Sequence, residues 1–404
     1  MPLDPIFSER LRTHRKYLIS TALEQAKAFL LHPRGGAQAA QTAAAKPTKS
    51  TESTKSATSL QSATGSGPAP VGGTGATADP AGPATSARAP KPTVPANTPK
   101  APRKKKTRAS HRKAALNWDK KELQTIGTPG PRVLTVEHMV SVDRFPDVRV
   151  RIYYPGTEVT TEHPVPGVLS FFGGAFRIGG IDYPTTDAAF RRRAADAGVA
   201  IVAVDYALAP EHRYPTQVEQ SFAALVWLFA EAESLGVDPT RIAVAGISAG
   251  ANIAAAVTIV NRERDALPIA LQVLEVPVVD LTGKHIDLKP VRAMHVPSIL
   301  AIREMRSVAK TYLPSRSQAK DPHASPLLAA SHVGLPPAVI LTAEFDPLRG
   351  DGAAYTAALR AAGVDASATQ YLGVTHDASI FTGVLPAARR WHADVVTALR
   401  SLHP

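Results

Sequence analysis

The sequence predicts an α/β fold with a mostly parallel, eight-stranded sheet flanked by helices in residues 112–404. After Trp118, eight short apolar runs alternate with longer segments of helical periodicity, which is typical of strand and helix units following one another. Two of these runs, Val199–Val204 and Val339–Thr342, are apolar almost without interruption. That pattern is expected of strands buried on both faces.

The predicted elements begin with two strands that we expect to form an antiparallel pair before the parallel part of the sheet. The predicted strands are Val133–Val142, Val148–Tyr154, Gly167–Phe172, Val199–Asp205, Arg241–Ile247, Ile269–Val276, Ala338–Phe345 and Ala366–Tyr371. The predicted helices are Thr185–Ala197, Thr216–Leu235, Ala249–Arg262, Asp351–Ala362 and Pro386–Leu402. Residues 282–322 contain no strand-like run, so we expect one or two short helices inserted there as a lid over the carboxyl edge of the sheet.

Two segments of different character precede this domain. Apolar residues recur at roughly helical spacing within residues 1–34, which predicts one amphipathic helix that either packs on the main domain or stands apart. Residues 35–111 consist almost wholly of Ala, Pro, Ser, Thr, Gly and Lys, so they cannot bury enough apolar surface to offset chain entropy. We therefore expect a disordered basic linker up to residue 111 and a folded domain from residue 112.

The net charge of +12 belongs to the front of the chain. Residues 1–120 hold 20 Lys and Arg against 6 Asp and Glu, whereas residues 121–404 hold 26 against 28. The basic excess therefore indicates nothing about ligands of the folded domain. The tail itself is either a plain solvated linker or a weak tether to an anionic partner such as nucleic acid, an acidic membrane or a cell-wall polymer.

The absence of cysteine excludes disulfides, thiolate metal sites and a cysteine nucleophile. The chain has no apolar run of the roughly 18 residues that a spanning helix needs, and charges throughout its first 30 residues argue against a signal peptide. A cytoplasmic location is therefore expected. The sequence leaves the oligomeric state open, with a homodimer among the alternatives.

A G-x-S-x-G motif, Gly246-Ile-Ser-Ala-Gly250, lies between an apolar run and an alanine-rich segment. This strand-to-helix setting is the one in which such a motif presents a serine nucleophile, here Ser248. A sharp turn that lifts the hydroxyl off the sheet leaves no room for a Cβ at the flanking positions, which explains the two glycines. Taken alone, the motif is equally consistent with a tight loop that carries an ordinary serine.

Two candidate partners of Ser248 follow later strands. A serine hydroxyl needs a base and a group that orients the base, and open α/β sheets keep their sites at the carboxyl ends of strands. Asp346 comes just after Ala338–Thr342, and His376 comes just after Ala366–Tyr371. Taken singly, Asp346 is also consistent with an Asp-Pro turn, and His376 with an ordinary loop histidine.

A glycine loop, Phe171–Phe176, follows the third predicted strand. Its Gly173 and Gly174, together with the N–H of Ala249, are candidates for an oxyanion hole, with a plain glycine turn as the alternative. Glu211 and His212 have no carboxylate cluster or second histidine at ligand spacing, so we expect no metal there.

Six segments in this order carry a resemblance to a known family. They are Phe172-Gly-Gly-Ala-Phe176, Asp205-Tyr-Ala-Leu-Ala-Pro-Glu-His-Arg-Tyr-Pro215, Gly246-Ile-Ser-Ala-Gly-Ala-Asn252, Ser325-Pro-Leu327, Thr342-Ala-Glu-Phe-Asp-Pro-Leu-Arg349 and Gly373-Val-Thr-His376. From about Val133 to the C-terminus, the chain resembles the hormone-sensitive-lipase-like esterases, which are bacterial α/β-hydrolases with an HGGG loop.

The resemblance implies an α/β-hydrolase fold with a helical cap, formed by N-terminal helices and an insertion like residues 282–322. It implies a carboxylesterase that acts on short to medium acyl esters without a cofactor. It also implies roles: Ser248 as nucleophile, His376 as general base and then acid, and Asp346 as the partner that orients His376. The alternative is a protein of this fold that binds a small molecule and has lost catalysis.

Some residues depart from the family pattern. The HGGG loop has Phe172 and Ala175 in place of its histidine and last glycine, and Ile247 replaces an acidic or hydroxylated residue. Asp377 follows the histidine, where it would either raise the pKa of His376 or compete for its proton. Arg177, just beyond the loop, either contacts an anionic substrate group or is a solvated surface arginine.

Overall fold

The structure is a computed structural model that describes residues 1–12, 108–158 and 161–404. These residues belong to one compact unit, which includes the short N-terminal segment. Most of the predicted N-terminal helix and nearly all of the predicted linker therefore lie outside the described residues.

The sheet has eight strands in the order β1-β2-β4-β3-β5-β6-β7-β8. The strands are β1 Thr135–Val140, β2 Val148–Tyr153, β3 Val165–Phe171, β4 Ala200–Val204, β5 Val237–Ile247, β6 Ile269–Glu275, β7 Ala338–Phe345 and β8 Ala366–Thr375. The pairs β1 with β2 and β2 with β4 are antiparallel, and the remaining pairs are parallel. The predicted mostly parallel, eight-stranded sheet is confirmed.

Helices cover both faces of this sheet, and the five that the sequence predicts are all present with ends displaced by a few residues. The helices are α1 Arg108–Thr125, α2 Pro184–Ala197, α3 Thr216–Glu231, α4 Ala249–Arg264, α5 Lys289–Ala293, α6 Ser298–Tyr312, α7 Arg349–Ala361 and α8 Pro386–Arg400. Every residue of the central strand β4 is buried. The buried strand explains the uninterrupted apolar run in its sequence.

Helix α1 was not predicted. None of its 18 residues is buried, so its sequence lacks the apolar stripe that marks a helix packed along one side. It begins at Arg108, four residues before the expected start of the domain. Residues 108–111 are therefore helical, which corrects their assignment to the disordered linker.

Strand β8 is longer than predicted, since it continues past Tyr371 to Thr375. The missed residues include Gly373, whose φ of 77° departs from regular strand geometry. A glycine inside a strand interrupts the sequence pattern, so the pattern ends before the strand does. The extension brings the end of β8 to His376.

The segment 282–322 contains helices α5 and α6 followed by a 3₁₀ turn at Arg316–Lys320, and its role as a lid stays a prediction. Within residues 1–12, residues 5–12 are helical. The Phe7 side chain is 3% exposed and its ring lies 4.7 Å from that of Phe381, so this segment packs on the domain. No helix in the described ranges has the length and apolar character needed to cross a membrane.

Candidate active site

The turn between β5 and α4 presents Ser248 in a strained backbone conformation with φ of 56°. A Cβ at Gly246 would lie 2.2 Å from the carbonyl oxygen of Gly250, and one at Gly250 would lie 2.2 Å from that of Phe171. Both distances are too short for any side chain, as the sequence argument required. The N–H of Ser248 donates to the carbonyl of Glu275 on β6 at 2.8 Å, which fixes the turn against the neighbouring strand.

The structure brings Ser248, Asp346 and His376 into one hydrogen-bonded chain. The Nε2 atom of His376 lies 2.9 Å from Oγ of Ser248, and its Nδ1 atom lies 2.7 Å from Oδ2 of Asp346. Asp346 is 1% exposed, and its Oδ1 accepts a hydrogen bond from the N–H of Leu348 at 2.9 Å. The carboxylate is therefore fixed on both oxygens, and it fixes the orientation of the imidazole.

The pKa of His376 is raised above its ordinary value. Burial of the ring lowers this pKa, but the charge of Asp346 and its hydrogen bond raise it by more, and the charge of Asp377 adds to the increase. Asp377 itself is exposed and accepts a hydrogen bond from the Thr375 hydroxyl at 2.7 Å. Because both ring nitrogens of His376 already have partners, Asp377 acts on the ring through its charge and does not compete for its proton.

The glycine loop lies against the serine. A Cβ at Gly173 would lie 3.5 Å from Cβ of Ser248, and Gly174 has a φ of 132° that side chains rarely adopt. On the other side, helix α4 begins at Ala249, and its first amides have no acceptor within the helix. Of the three residues that the sequence proposed as oxyanion donors, Gly173 and Ala249 thus adjoin Ser248, and Gly174 lines the same cavity as the serine.

Aromatic stacking holds the glycine loop in place. The Phe172 ring stacks on Tyr206 with centroids 4.1 Å apart, and the Tyr206 hydroxyl donates to the carbonyl of Phe172 at 2.7 Å. The Phe176 ring stacks on Tyr312 of α6 with centroids 3.8 Å apart. Two ring pairs therefore fasten this loop, in which phenylalanine occupies the position of the family's histidine.

Arg177 fits neither of the two alternatives from the sequence. Its guanidinium pairs with Glu304 and donates to the Ser307 hydroxyl, both on α6. It therefore ties the glycine loop to the helical insertion. Glu211 pairs with Arg112 of α1, and no cluster of potential metal ligands occurs in the described part of the chain.

A cavity of about 550 Å³ opens over Ser248 and His376. Its walls come from the glycine loop, from Trp118 and Leu123 of α1, from α2 and from α8. Helix α1 therefore forms part of the wall, although the sequence did not mark it as a helix. The signal that could have found it is the charged, helix-favouring run Asp119-Lys-Lys-Glu-Leu123 rather than apolar periodicity.

A buried ionic cluster that the sequence analysis missed lies beside the nucleophile. Glu275 is fully buried at the end of β6 and accepts hydrogen bonds from Arg193 at 2.8 Å and from the Trp391 indole at 2.7 Å. Arg193 and Trp391 line the same cavity as Ser248. The signal in the sequence was a glutamate inside the apolar run Val273-Leu-Glu-Val276, where a buried carboxylate needs a partner.

A serine on a strand-to-helix turn, bonded to a histidine that is itself bonded to an aspartate, occurs here in the chain order Ser, Asp, His. That order and this sheet define the α/β-hydrolase class. A family model described as the alpha/beta hydrolase fold matches residues 168–380, more than half of the 404 residues. The chain belongs to this family.

Several relatives of the chain are named as esterases. The chain is 36% identical over 277 residues to "Carboxylesterase NlhH" of Mycobacterium tuberculosis, which covers 68% of this chain and 84% of the relative. It is 35% identical over 209 residues to "Arylesterase" of Saccharolobus solfataricus, covering 52% and 67%. The solved structure of EstE1, a thermophilic carboxylesterase cloned from a metagenomic library, is similar with a TM-score of 0.66 and 35% identity, covering 74% of this chain and 99% of that one.

Proposed function

We propose that this chain, a carboxylic ester hydrolase, cleaves short to medium acyl esters through an acyl-enzyme formed on Ser248. The observation that carries the proposal is the chain of hydrogen bonds from Ser248 Oγ to His376 at 2.9 Å and from His376 to Asp346 at 2.7 Å. The names of the relatives support the ester class, and one of them, from Pseudomonas putida, is called "Ethyl acetate hydrolase". The cavity of about 550 Å³ suits a small ester.

The first half of the proposed reaction transfers the acyl group to the enzyme. Ser248 Oγ attacks the ester carbonyl while Nε2 of His376 takes its proton, giving a tetrahedral oxyanion and an imidazolium. The buried Asp346 carboxylate stabilises the imidazolium and keeps the imidazole in the tautomer whose Nε2 accepts. When the intermediate collapses, the bond to the alcohol oxygen breaks and His376 returns the proton to the leaving alcohol.

The second half releases the acid. Water loses a proton to Nε2 of His376 and attacks the acyl-enzyme, and the proton then returns to Ser248 Oγ as the acyl bond breaks. In both halves, the amides of Gly173, Gly174 and Ala249 would donate to the oxyanion. Every step uses side chains and backbone amides of this chain and calls for no metal or cofactor.

The test compares turnover of p-nitrophenyl butyrate by the full chain and by Ser248→Ala. We expect kcat to fall by roughly 10⁶, the size of effect that loss of such a nucleophile produces. Ser234→Ala is the matched control, since Ser234 is exposed and lies after α3, and it should retain full activity. A p-nitrophenyl ester series of increasing acyl length then defines the substrate range.

Covalent labelling separates an esterase from a protein that only binds a small molecule. A fluorophosphonate should attach one phosphonyl group to the wild-type chain, measured as the corresponding increase in mass, and should leave Ser248→Ala unlabelled. Equal turnover by both proteins would refute the proposal. Tight ligand binding without labelling would favour the alternative of a catalytically inactive binding protein.

The predictions for the basic tail, a homodimer and a cytoplasmic location remain predictions. The tail lies within residues 13–107, outside the described ranges. Salt-sensitive retention on heparin that disappears on deletion of residues 13–107 would support an anionic partner. This deletion keeps residues 1–12, which pack on the domain.

A further inference from the structure

One end of the cavity has two adjacent arginines that the proposed reaction does not use. Arg192 and Arg193 follow one another in the second half of α2, and both line the cavity that contains Ser248 and His376. Trp391 and His392 of α8 line the same cavity. We call these four residues the arginine end of the cavity.

The positive charge at the arginine end is only partly compensated. Arg193 is paired with the buried carboxylate of Glu275 at 2.8 Å. Arg192 instead donates to a neutral acceptor, the backbone carbonyl of Thr128. The Nε atoms of Arg192 and Arg193 are both buried and have no hydrogen-bond partner in the described part of the chain.

The pKa values of Arg192 and His392 agree with this partly uncompensated positive charge. Burial, and then the charge of Arg193, lower the pKa of Arg192 to about 10, against the opposing charge of Asp196. The pKa of His392 is also lowered, first by burial and then by the charges of Arg193 and Arg192, against the opposing hydrogen bond to Asp196. The arginine end thus disfavours further positive charge, and a bound anion would offset the cost of the charge already there.

We propose that the arginine end binds an anionic group of the substrate, so that preferred substrates are esters with a free carboxylate away from the scissile bond. This inference rests on the proposed esterase function. A guanidinium can hold a carboxylate through two parallel hydrogen bonds. The bonds of Arg193 to Glu275 and of Arg192 to Thr128 already orient the two side chains.

A single negative charge fits this cavity better than a dianion. Three carboxylates also line the cavity, those of Asp119, Glu122 and Asp377. Each has a partner: Asp119 bonds to Thr185, Glu122 to Arg10 and Asp377 to Thr375. Their charges would repel a dianionic phosphate more strongly than a carboxylate, since Coulomb energy scales with the charge of the ligand.

The test compares matched esters that differ only in charge. For each dicarboxylic acid from succinate to adipate, kcat/KM is measured for the monoethyl ester and for the diethyl ester by titrating the released acid. We expect the monoester to be preferred by roughly tenfold or more at one chain length, the gain typical of one added charge-assisted contact. Acetylated hydroxy acids carry the free carboxylate on the alcohol side of the scissile bond. They test whether the arginine end binds a carboxylate on that side instead.

Variants of α2 test whether Arg192 is the residue responsible for the preference for the monoester. Arg192→Gln should lower the ratio of kcat/KM for monoester over diester by roughly tenfold, and Arg192→Lys should retain part of the preference. Arg191→Gln is the matched control because Arg191 pairs with Asp187 and does not line this cavity. Its ratio should equal that of the wild type.

A second readout does not depend on ester turnover along the series. Glutaramate, the monoamide of glutarate with a single negative charge, should inhibit hydrolysis of p-nitrophenyl butyrate competitively, and this inhibition should weaken in Arg192→Gln and Arg192→Lys and at high salt. Equal kcat/KM for charged and uncharged esters in both the dicarboxylic and the acetylated hydroxy acid series, or a ratio unchanged by Arg192→Gln, would overturn the inference while leaving the esterase proposal intact. A folded wild-type chain that hydrolyses no ester would overturn the proposed function instead.

Discussion

The two sides of Ser248 are held by different kinds of interaction. On one side, Asp346 and His376 stand at the ends of β7 and β8 and are fixed by hydrogen bonds of 2.7 to 2.9 Å. On the other side, the glycine loop is fixed mainly by the ring stacks of Phe172 on Tyr206 and Phe176 on Tyr312. The acid–base side requires particular functional groups, whereas the loop side requires only a fixed backbone.

This difference explains why one side matches the family pattern and the other departs from it. A proton transfer depends on the pKa and position of a few atoms, so few residue types can replace His376 or Asp346. Backbone amides can be held in place by any contact that leaves the loop rigid. Stacked rings with the carbonyl of Phe172 bonded to the Tyr206 hydroxyl satisfy that need without an imidazole.

The largest effect should come from the polar side. Asp346→Asn removes the charge that stabilises the imidazolium and presents an amide that favours the wrong tautomer of His376. We expect kcat to fall by about 10⁴, as for the equivalent change in the serine-protease triad. Turnover of p-nitrophenyl butyrate and a thermal melt measure rate and stability side by side.

The matched control for that change is Asp143→Asn, because the side chain of Asp143 is 88% exposed in a loop between β1 and β2. It should leave both kcat and the melting temperature as in the wild type. A loss of kcat below tenfold in Asp346→Asn would mean that this carboxylate does not orient the base.

The loop side should respond in the opposite way, with a larger effect on stability than on rate. Phe172→Leu removes the stack on Tyr206 and leaves a small cavity in a site where Phe172 is 1% exposed. We expect the free energy of unfolding to fall by about 1–2 kcal/mol and kcat to fall by up to roughly tenfold as the oxyanion donors lose alignment. Urea unfolding and steady-state kinetics measure the two quantities.

Phe222→Leu is the control that separates the two effects. Phe222 is 8% exposed on α3, and its ring packs under the guanidinium of Arg264. The same substitution there should cost a similar free energy of unfolding without changing kcat. If both variants keep wild-type kcat, the stack on Tyr206 does not position the oxyanion donors.

The same contrast determines what could be predicted from the sequence. The strands, Ser248, Asp346 and His376 could be placed because apolar runs mark buried strands and because parallel strands bring their carboxyl ends to one edge. The ring stacks could not be predicted, since Phe176 and Tyr312 are far apart in the chain and neither belongs to a motif that indicates which residue it contacts. Contacts of this kind depend on how the helical insertion packs, which local sequence does not encode.

Helix α1 and the buried Arg193–Glu275 pair illustrate two further limits. Helix α1 has no buried residue, so hydrophobic periodicity could not reveal it even though it lines the cavity. Arg193 lies in an arginine-rich stretch of α2 that reads as a solvated face, yet its side chain is 11% exposed. Only the folded structure shows that the side chain of Arg193 points inward and pairs with Glu275 on β6.

The smallest expected effect concerns Asp377, which is not part of the hydrogen-bonded chain of Ser248, His376 and Asp346 but whose charge acts on His376. The exposed carboxylate of Asp377 contributes to raising the pKa of His376 above its ordinary value of about 6.5. In the proposed reaction, His376 must be neutral to accept the proton of Ser248, so we expect activity to be lost as the pH falls through this raised pKa. Asp377→Asn lowers the pKa and should therefore move the acid limb of kcat/KM to lower pH, with only a small effect because Asp377 is exposed. Salt should shrink the difference between variant and wild type, because an exposed charge is screened. A shift to higher pH would contradict the claim that Asp377 raises this pKa, and a difference that persists in 1 M salt would show that Asp377 acts on His376 through a direct contact.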